Sequence, residues 1–227
     1  MTSRLERILS VVLTASAVVI AFGVARRELR GAPPRGRAAI EFVKGWEKAL
    51  EVGITVGSKS APVKIVEFVD LQCPSCRRFQ PIIRDLLTEN SADLAVVYVH
   101  LPLPGHFFAT PAARAAECAE RSGLFYPFIE AVFAKQDSLG IKSWGSFALD
   151  AGIADTSYIS NCTTSDDPFS RITDGAALAQ ALEVNGTPTV FVNGYRFASP
   201  SKENLVRAMN AVRRGKPANY QGDLKAN

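Results

Sequence analysis

The sequence predicts an α/β domain with a helical insertion, preceded by an N-terminal transmembrane helix, and three observations predict it. A short run rich in β-branched residues, Val63 to Val69, passes almost at once into helical periodicity. Late in the chain an Asn193-Gly194 pair between two apolar runs signals a hairpin, which a helix follows. Between these two regions the apolar residues recur at helical spacing. The order is β, α, β, several helices, β, β, α, not a series of repeated βαβ units. With 227 residues, 47% hydrophobic and 21% charged, the chain is long and apolar enough to bury a core without staples. A mainly disordered chain, a collagen-like repeat and a Cys-dense miniprotein are excluded, and no internal repeat is present.

The first element is Ile8 to Ala25, an uncharged run of 18 residues between Arg7 and Arg26. As a helix it would be about 27 Å long, close to the roughly 30 Å hydrocarbon core of a bilayer. Its length favours an uncleaved anchor over a cleaved export signal, for which Gly23-Val24-Ala25 is only a fair exit site. The flanks complicate orientation. Arg26, Arg27, Arg30, Arg35 and Arg37 follow the run while Arg4 and Arg7 precede it, and the positive-inside rule read literally would leave the rest of the chain in the cytoplasm. The redox chemistry below argues for the opposite side. The net charge of +4 comes from this segment: residues 1–44 carry net +5, and the remainder has 18 Lys/Arg against 19 Asp/Glu. A folded body without a basic stripe speaks against a nucleic-acid partner.

Residues 1–30 thus form an anchor or signal and residues 31–56 a polar tether, with a short helical stretch at 38–50. Val63 to Val69 reads as a buried strand in which Glu67 is unusual. Phe79, Ile82, Ile83, Leu86 and Leu87 then mark a helix. Leu94 to His100 reads as a second strand and 111–135 as a helix. Segments 143–151 and 155–162 are shorter helices, and 166–183 another. The hairpin spans 186–197, and 201–214 closes as a helix. The remaining residues, 215–227, form a tail. The aromatics Phe125, Tyr126, Phe128 and Phe133 fall at helical spacing, as core residues do.

The chemistry gathers at Cys73-Pro74-Ser75-Cys76, where strand turns into helix. Pro74 suits the first helical position, where its missing N–H costs nothing, so Cys73 lies at the N-cap. A sulfur there faces unpaired N–H groups and the positive end of the helix dipole, and its pKa falls to roughly 3.5–7.5. Arg77 and Arg78 would add positive potential. Cys73 would be the exposed attacking thiolate. Cys76, one turn in, would be the shielded thiol that resolves the mixed disulfide. Two other readings exist. A zinc half-site needs further ligands, and Cys118, Cys162, His100 and His106 show no such spacing. An inert disulfide at a strand–helix junction is the other. His106 reads as a solvated or capping side chain, and His100 as structural.

The stretch APVKIVEFVDLQCPSCRRF resembles the active-site region of DsbA-like thiol:disulfide oxidoreductases of the thioredoxin superfamily. NGTPTVFVNG resembles that family's second signature, a cis-proline before a strand. PLPGHFFATPAARAAECA resembles the start of its helical insertion. The resemblance covers roughly residues 57–214 and implies a thioredoxin fold whose insertion spans about 107–183. It implies that Cys73 is the nucleophile, Cys76 the resolving thiol, and Glu67 the buried acid that moves the Cys76 proton. Thr187-Pro188 would be the cis peptide beside the Cys pair and, with Pro74 and Ser75, would contact an extended substrate chain. A structural disulfide within the insertion, as some members carry, would join Cys118 and Cys162.

One departure stands out. Strongly oxidising members carry Pro-His between the cysteines, and this chain has Pro-Ser. A neutral Ser75 hydroxyl stabilises a thiolate less than a cationic imidazole does. The implied couple is less oxidising, within the roughly −120 to −270 mV span of thioredoxin-like proteins. The expected protein is a membrane-tethered, extracytoplasmic oxidoreductase without metal or organic cofactor. It would act on exported protein substrates bearing thiols or disulfides and be turned over by a membrane redox partner. A dedicated reductase or isomerase, and a non-catalytic peptide-binding module, are the alternatives.

Overall fold

The computed structural model describes residues 12–14, 16, 40–198 and 200–220. The chain divides into two units, Met1–Ala39 and Ile40–Asn227. In the first, residues 12–14 and 16 are helical. The rest of the proposed span, Ile8 to Ala25, lies outside the described residues. Among the described residues no helix is long and apolar enough to cross a membrane.

The second unit is built on a six-stranded sheet. Its strands are β1 (Glu41–Phe42), β2 (Ile54–Gly57), β3 (Val63–Val69), β4 (Leu94–His100), β5 (Thr189–Val192) and β6 (Tyr195–Ala198), in the order β1-β6-β5-β3-β4-β2. The central strands β3 and β4 are parallel, and every other pairing is antiparallel. The helices are α1 (Ala49–Val52), α2 (Pro74–Glu89), α3 (Ala109–Arg121), α4 (Phe125–Ala134), α5 (Trp144–Asp150), α6 (Thr156–Thr164), α7 (Ser170–Ala181) and α8 (Lys202–Arg213).

Both central strands are buried on both faces, which is why they read as continuous apolar runs. Their two-residue period still sorts the side chains. Val63, Ile65 and Val69 of β3, with Leu94, Val96 and Tyr98 of β4, join the core cluster that includes Cys76, Phe79 and Ile83 of α2 and the insertion helices. Val66, Phe68, Val97 and Val99 face the other way, against Trp46, Ala49 and Leu178. Glu67 shares the parity of Ile65 and Val69, so the pleat aims its carboxyl under α2.

Several boundaries differ from the sequence expectation. Residues 41–57 do not stand apart as a tether: β1 pairs with β6 and β2 with β4. These strands are two and four residues long, too short for period-two alternation to register, and long-range pairing made them. In place of one helix over 111–135 there are two, α3 and α4. The chain breaks at Ser122-Gly123, where Gly123 takes φ +72°, a conformation that suits glycine. The helix at 166–183 starts later, at Ser170, after Phe169 in a left-handed conformation. The hairpin turns at Asn193-Gly194, both at positive φ. The helix foreseen at 201–214 is α8, opened by a capping box between Ser201 and Asn204.

Candidate active site

Asp70 follows the end of β3, and the chain turns back on itself there: the Cys73 N–H donates to the Asp70 carbonyl at 3.0 Å. Cys73 is the N-cap of α2, and Pro74 opens the helix. Both sulfurs are free thiols. Cys73 is 6% exposed and Cys76 0%. The expected openness of Cys73 is therefore corrected: its sulfur lies against Thr187, and its carbonyl oxygen is held by Gln136 of the insertion. The peptide Thr187-Pro188 is cis. As a thiol, Cys73 Sγ donates to the Thr187 carbonyl oxygen at 3.4 Å. The Thr187 hydroxyl, buried and without a hydrogen-bond partner among the described residues, favours the thiolate form of Cys73.

The two sulfurs ionise in opposite senses. Cys73 is pulled down from 9.0 to about 5, first by a hydrogen bond from the Cys76 thiol, against the cost of burial, then by the Thr187 hydroxyl and the N–H groups of Cys76 and Ser75. Burial, chiefly, pushes Cys76 well above the usual thiol range, and its bond to Cys73 and the charge on Glu67 add to it. Arg77 and Arg78 each have a partner near the turn. Arg77 pairs with Asp137 at 2.7 Å, and Arg78 donates to the Ser75 hydroxyl at 2.9 Å.

Glu67 is fully buried, and neither carboxyl oxygen has a hydrogen-bond partner among the described residues. Burial, and then the charge on Cys73, raises it from 4.5 to about 8. A carboxyl left without partners in an apolar site keeps its proton near neutrality and can trade it with a nearby group of similar proton affinity. Pro188 follows directly on Thr187, whose carbonyl meets the Cys73 sulfur.

Cys118 and Cys162 are joined by a disulfide that closes a sequence separation of 44 and ties α3 to α6. His100 is buried and meets Glu117 at 3.4 Å, and Glu117 also takes Arg171 at 2.9 Å. His106 is partly solvated, and its Nδ1 lies 2.7 Å from the buried Asp70 carboxylate, a contact the sequence reading did not include. Gln136, buried just after α4, donates its side-chain amide to the carbonyl oxygens of Leu71 and Cys73. Sequence reading missed Asp70 and Gln136. Asp70 carried a signal, as an acid between a buried strand and a reactive turn. Gln136 carried none, because its contact spans 63 positions. Phe107, 85% exposed, and Ile141, 88% exposed, flank this turn, since Phe108 N–H bonds Gln72 Oε1 and the Phe108 ring lies against Gly140. Among the described residues no group of three His, Cys, Asp or Glu side chains is placed to hold a metal ion.

This fold, with a Cys-x-x-Cys pair at the start of its first long helix, is that of thioredoxin-like proteins. The chain belongs to the thioredoxin family, whose model matches residues 49–211. It is similar to the thioredoxin-like oxidoreductase from Silicibacter pomeroyi DSS-3, at 25% identity and a TM-score of 0.62, covering 74% of this chain and 97% of that one. It shares its fold with oxidised BdbD from Bacillus subtilis, at 20% identity and a TM-score of 0.67, covering 79% and 100%. Among curated proteins it is 35% identical over 161 residues to Na(+)/H(+) antiporter NhaA 1 of Mycolicibacterium vanbaalenii, covering 70% of this chain. The chain spans 26% of that antiporter's length.

Proposed function

We propose that the protein exchanges disulfides with exported polypeptides through Cys73 and Cys76, in an extracytoplasmic compartment, held at the membrane by residues 8–25. The opposed ionisation of the two sulfurs carries this reading: at neutral pH Cys73 is a thiolate and Cys76 a thiol. In the reducing direction the Cys73 thiolate attacks a substrate disulfide. One S–S bond breaks, a mixed disulfide forms, and one substrate thiolate leaves. The charge on Cys73 disappears at that step. Part of what raises Glu67 and Cys76 disappears with it, so a Glu67 carboxylate becomes accessible as base and the Cys76 proton easier to remove. The Cys76 thiolate then attacks Cys73, the second substrate thiolate leaves, and the protein is left as the disulfide. Oxidation of a substrate dithiol is the reverse sequence.

Thr187 and Pro188 offer backbone to an extended substrate beside Cys73, with Pro74 and Ser75 on the other side, and the exposed Phe107 and Ile141 supply an apolar rim. The Cys118–Cys162 bond suits an oxidising compartment. Kinship with a region of membrane antiporters supports a place at a membrane, where a membrane redox partner would restore the starting state. In cells, Cys76→Ala is expected to accumulate mixed disulfides with exported proteins, and Cys73→Ser to abolish exchange. Insulin reduction retained by Cys73→Ser would overturn the reading.

Ser75 favours a second reading, a dedicated reductase that keeps particular thiols reduced. A Cys73–Cys76 pair held reduced in cells, read by alkylation trapping, would select it over general oxidation.

A further inference from the structure

We propose that His106 is a positioning residue for the dithiol centre: its imidazole grips the buried carboxylate of Asp70, fixes the turn that carries both sulfurs, and so favours the ionised form of Cys73. The inference rests on the redox reading of Cys73 and Cys76.

Asp70 is 2% exposed and is committed on every side. Its Oδ1 accepts the Gln72 N–H at 2.7 Å, and its Oδ2 accepts the Leu103 N–H at 2.9 Å and faces His106 Nδ1 at 2.7 Å. Its backbone reaches both cysteines. The carbonyl accepts the Cys73 N–H at 3.0 Å, and the N–H is among the groups that draw the Cys76 thiol downward against burial. Asp70 thus fixes the turn at Cys73, and its side chain is held by the loop that follows β4. That loop is itself tied to the turn by the Phe108 N–H on Gln72 Oε1 at 2.7 Å, and the His106 N–H bonds the Leu103 carbonyl at 3.1 Å.

The partner fixes the tautomer. An ionised carboxylate only accepts, so His106 Nδ1 carries the hydrogen, and Nε2 is left for the solvent side of a side chain that is 29% exposed. A carboxylate this close in sequence to a thiolate opposes its ionisation, because like charges disfavour one another. A short charge-assisted N–H bond spreads that negative charge away from the sulfurs. Loss of the imidazole would leave the carboxylate with its two backbone donors and a freer Oδ2. Cys73 would then ionise less easily, and the disulfide would be favoured over the dithiol.

The test compares full-length wild type, His106→Ala and His106→Asn, whose amide can donate from near the Nδ1 position. Two quantities are read: the pH dependence of Cys73 alkylation in the reduced protein, and the equilibrium of the Cys73–Cys76 pair with glutathione. The expectation is a higher alkylation midpoint and a severalfold shift toward disulfide for His106→Ala, with His106→Asn close to wild type. A purely structural contact would lower thermal stability and leave both quantities unmoved. Coincidence of His106→Ala with wild type overturns the proposal, as does an equal shift in the Ala and Asn variants. If His106→Ala does not fold, His106→Leu against His106→Asn makes the same comparison, and failure of both donor-less variants to fold overturns it by making the contact structural. Failure of the redox reading looks different: wild type itself would then show an ordinary thiol midpoint.

Discussion

Gln136 holds Cys73 by its backbone: the side-chain amide reaches the Cys73 carbonyl at 3.1 Å and the Leu71 carbonyl at 2.9 Å. The residue lies in a short 3₁₀ turn after α4, so the helical insertion grips the redox turn directly. The Cys73 carbonyl also accepts the Arg77 N–H at 3.1 Å, whereas Leu71 is buried at 1% exposure.

Removing the amide should therefore cost stability through the Leu71 carbonyl. Gln136→Ala is expected to lower unfolding free energy by about 1–3 kcal/mol, the cost of a buried acceptor left unpaired. Denaturant midpoints check this. A loss near zero would show that the insertion does not hold the turn through this contact.

Glu67 and Cys73 give the reduced protein two opposed pH slopes. Folded Glu67 holds its proton to about pH 8 and releases it near 4.5 when unfolded. The native state binds the extra proton in that window, so this contribution is full below 4.5 and is lost as pH rises through 8. Cys73 ionises at about 5 when folded and near 9.0 when unfolded, so its contribution is full above 9 and is lost as pH falls through 5. Glu67→Gln removes only the first slope. Relative to wild type, the reduced variant should gain stability steadily between pH 4.5 and 8, as read from urea midpoints. A difference that does not change with pH contradicts the burial of a protonated Glu67.

The disulfide closes a separation of 44 residues inside the insertion. In the chain-entropy model a loop of that length is worth about 4 kcal/mol. A Cys118→Ala, Cys162→Ala double variant should lose stability of that order and keep the alkylation behaviour of Cys73, since the bond joins α3 to α6 and neither helix carries the redox cysteines. Loss of Cys73 reactivity in the folded double variant would couple the two sites.

Ser75 bears on the potential. Its hydroxyl accepts from Arg78 at 2.9 Å and offers the thiolate no cationic donor. The couple should fall within roughly −120 to −270 mV, and Ser75→His should make it more oxidising. Glutathione equilibria for both proteins measure this. A wild-type value above about −120 mV contradicts the role given to Ser75.

What the sequence made legible was what local chemistry dictates. Strands β3 and β4 and the N-cap at Cys73 followed from apolar runs and from Pro74, and the structure places them at Val63–Val69, Leu94–His100 and the start of α2. Contacts between distant segments were legible only where the resemblance supplied them, at Cys118–Cys162 and at Thr187 beside Cys73. Strands β1 and β2 exist because partners far along the chain complete them. Asp70 and His106 are 36 positions apart, and nothing in either neighbourhood marks the other. The covering of Cys73 was missed for the same reason: helix position told how its sulfur would ionise, and only the fold told what lies over it.

The most direct test of the account is the pH dependence of alkylation at Cys73 in the reduced full-length protein, with the modified residue located by mass spectrometry. The account predicts a midpoint at about 5, a plateau through neutral pH, and no modification of Cys76 in the folded state. A midpoint near the ordinary thiol value of 9.0, or equal modification of both sulfurs, would contradict it.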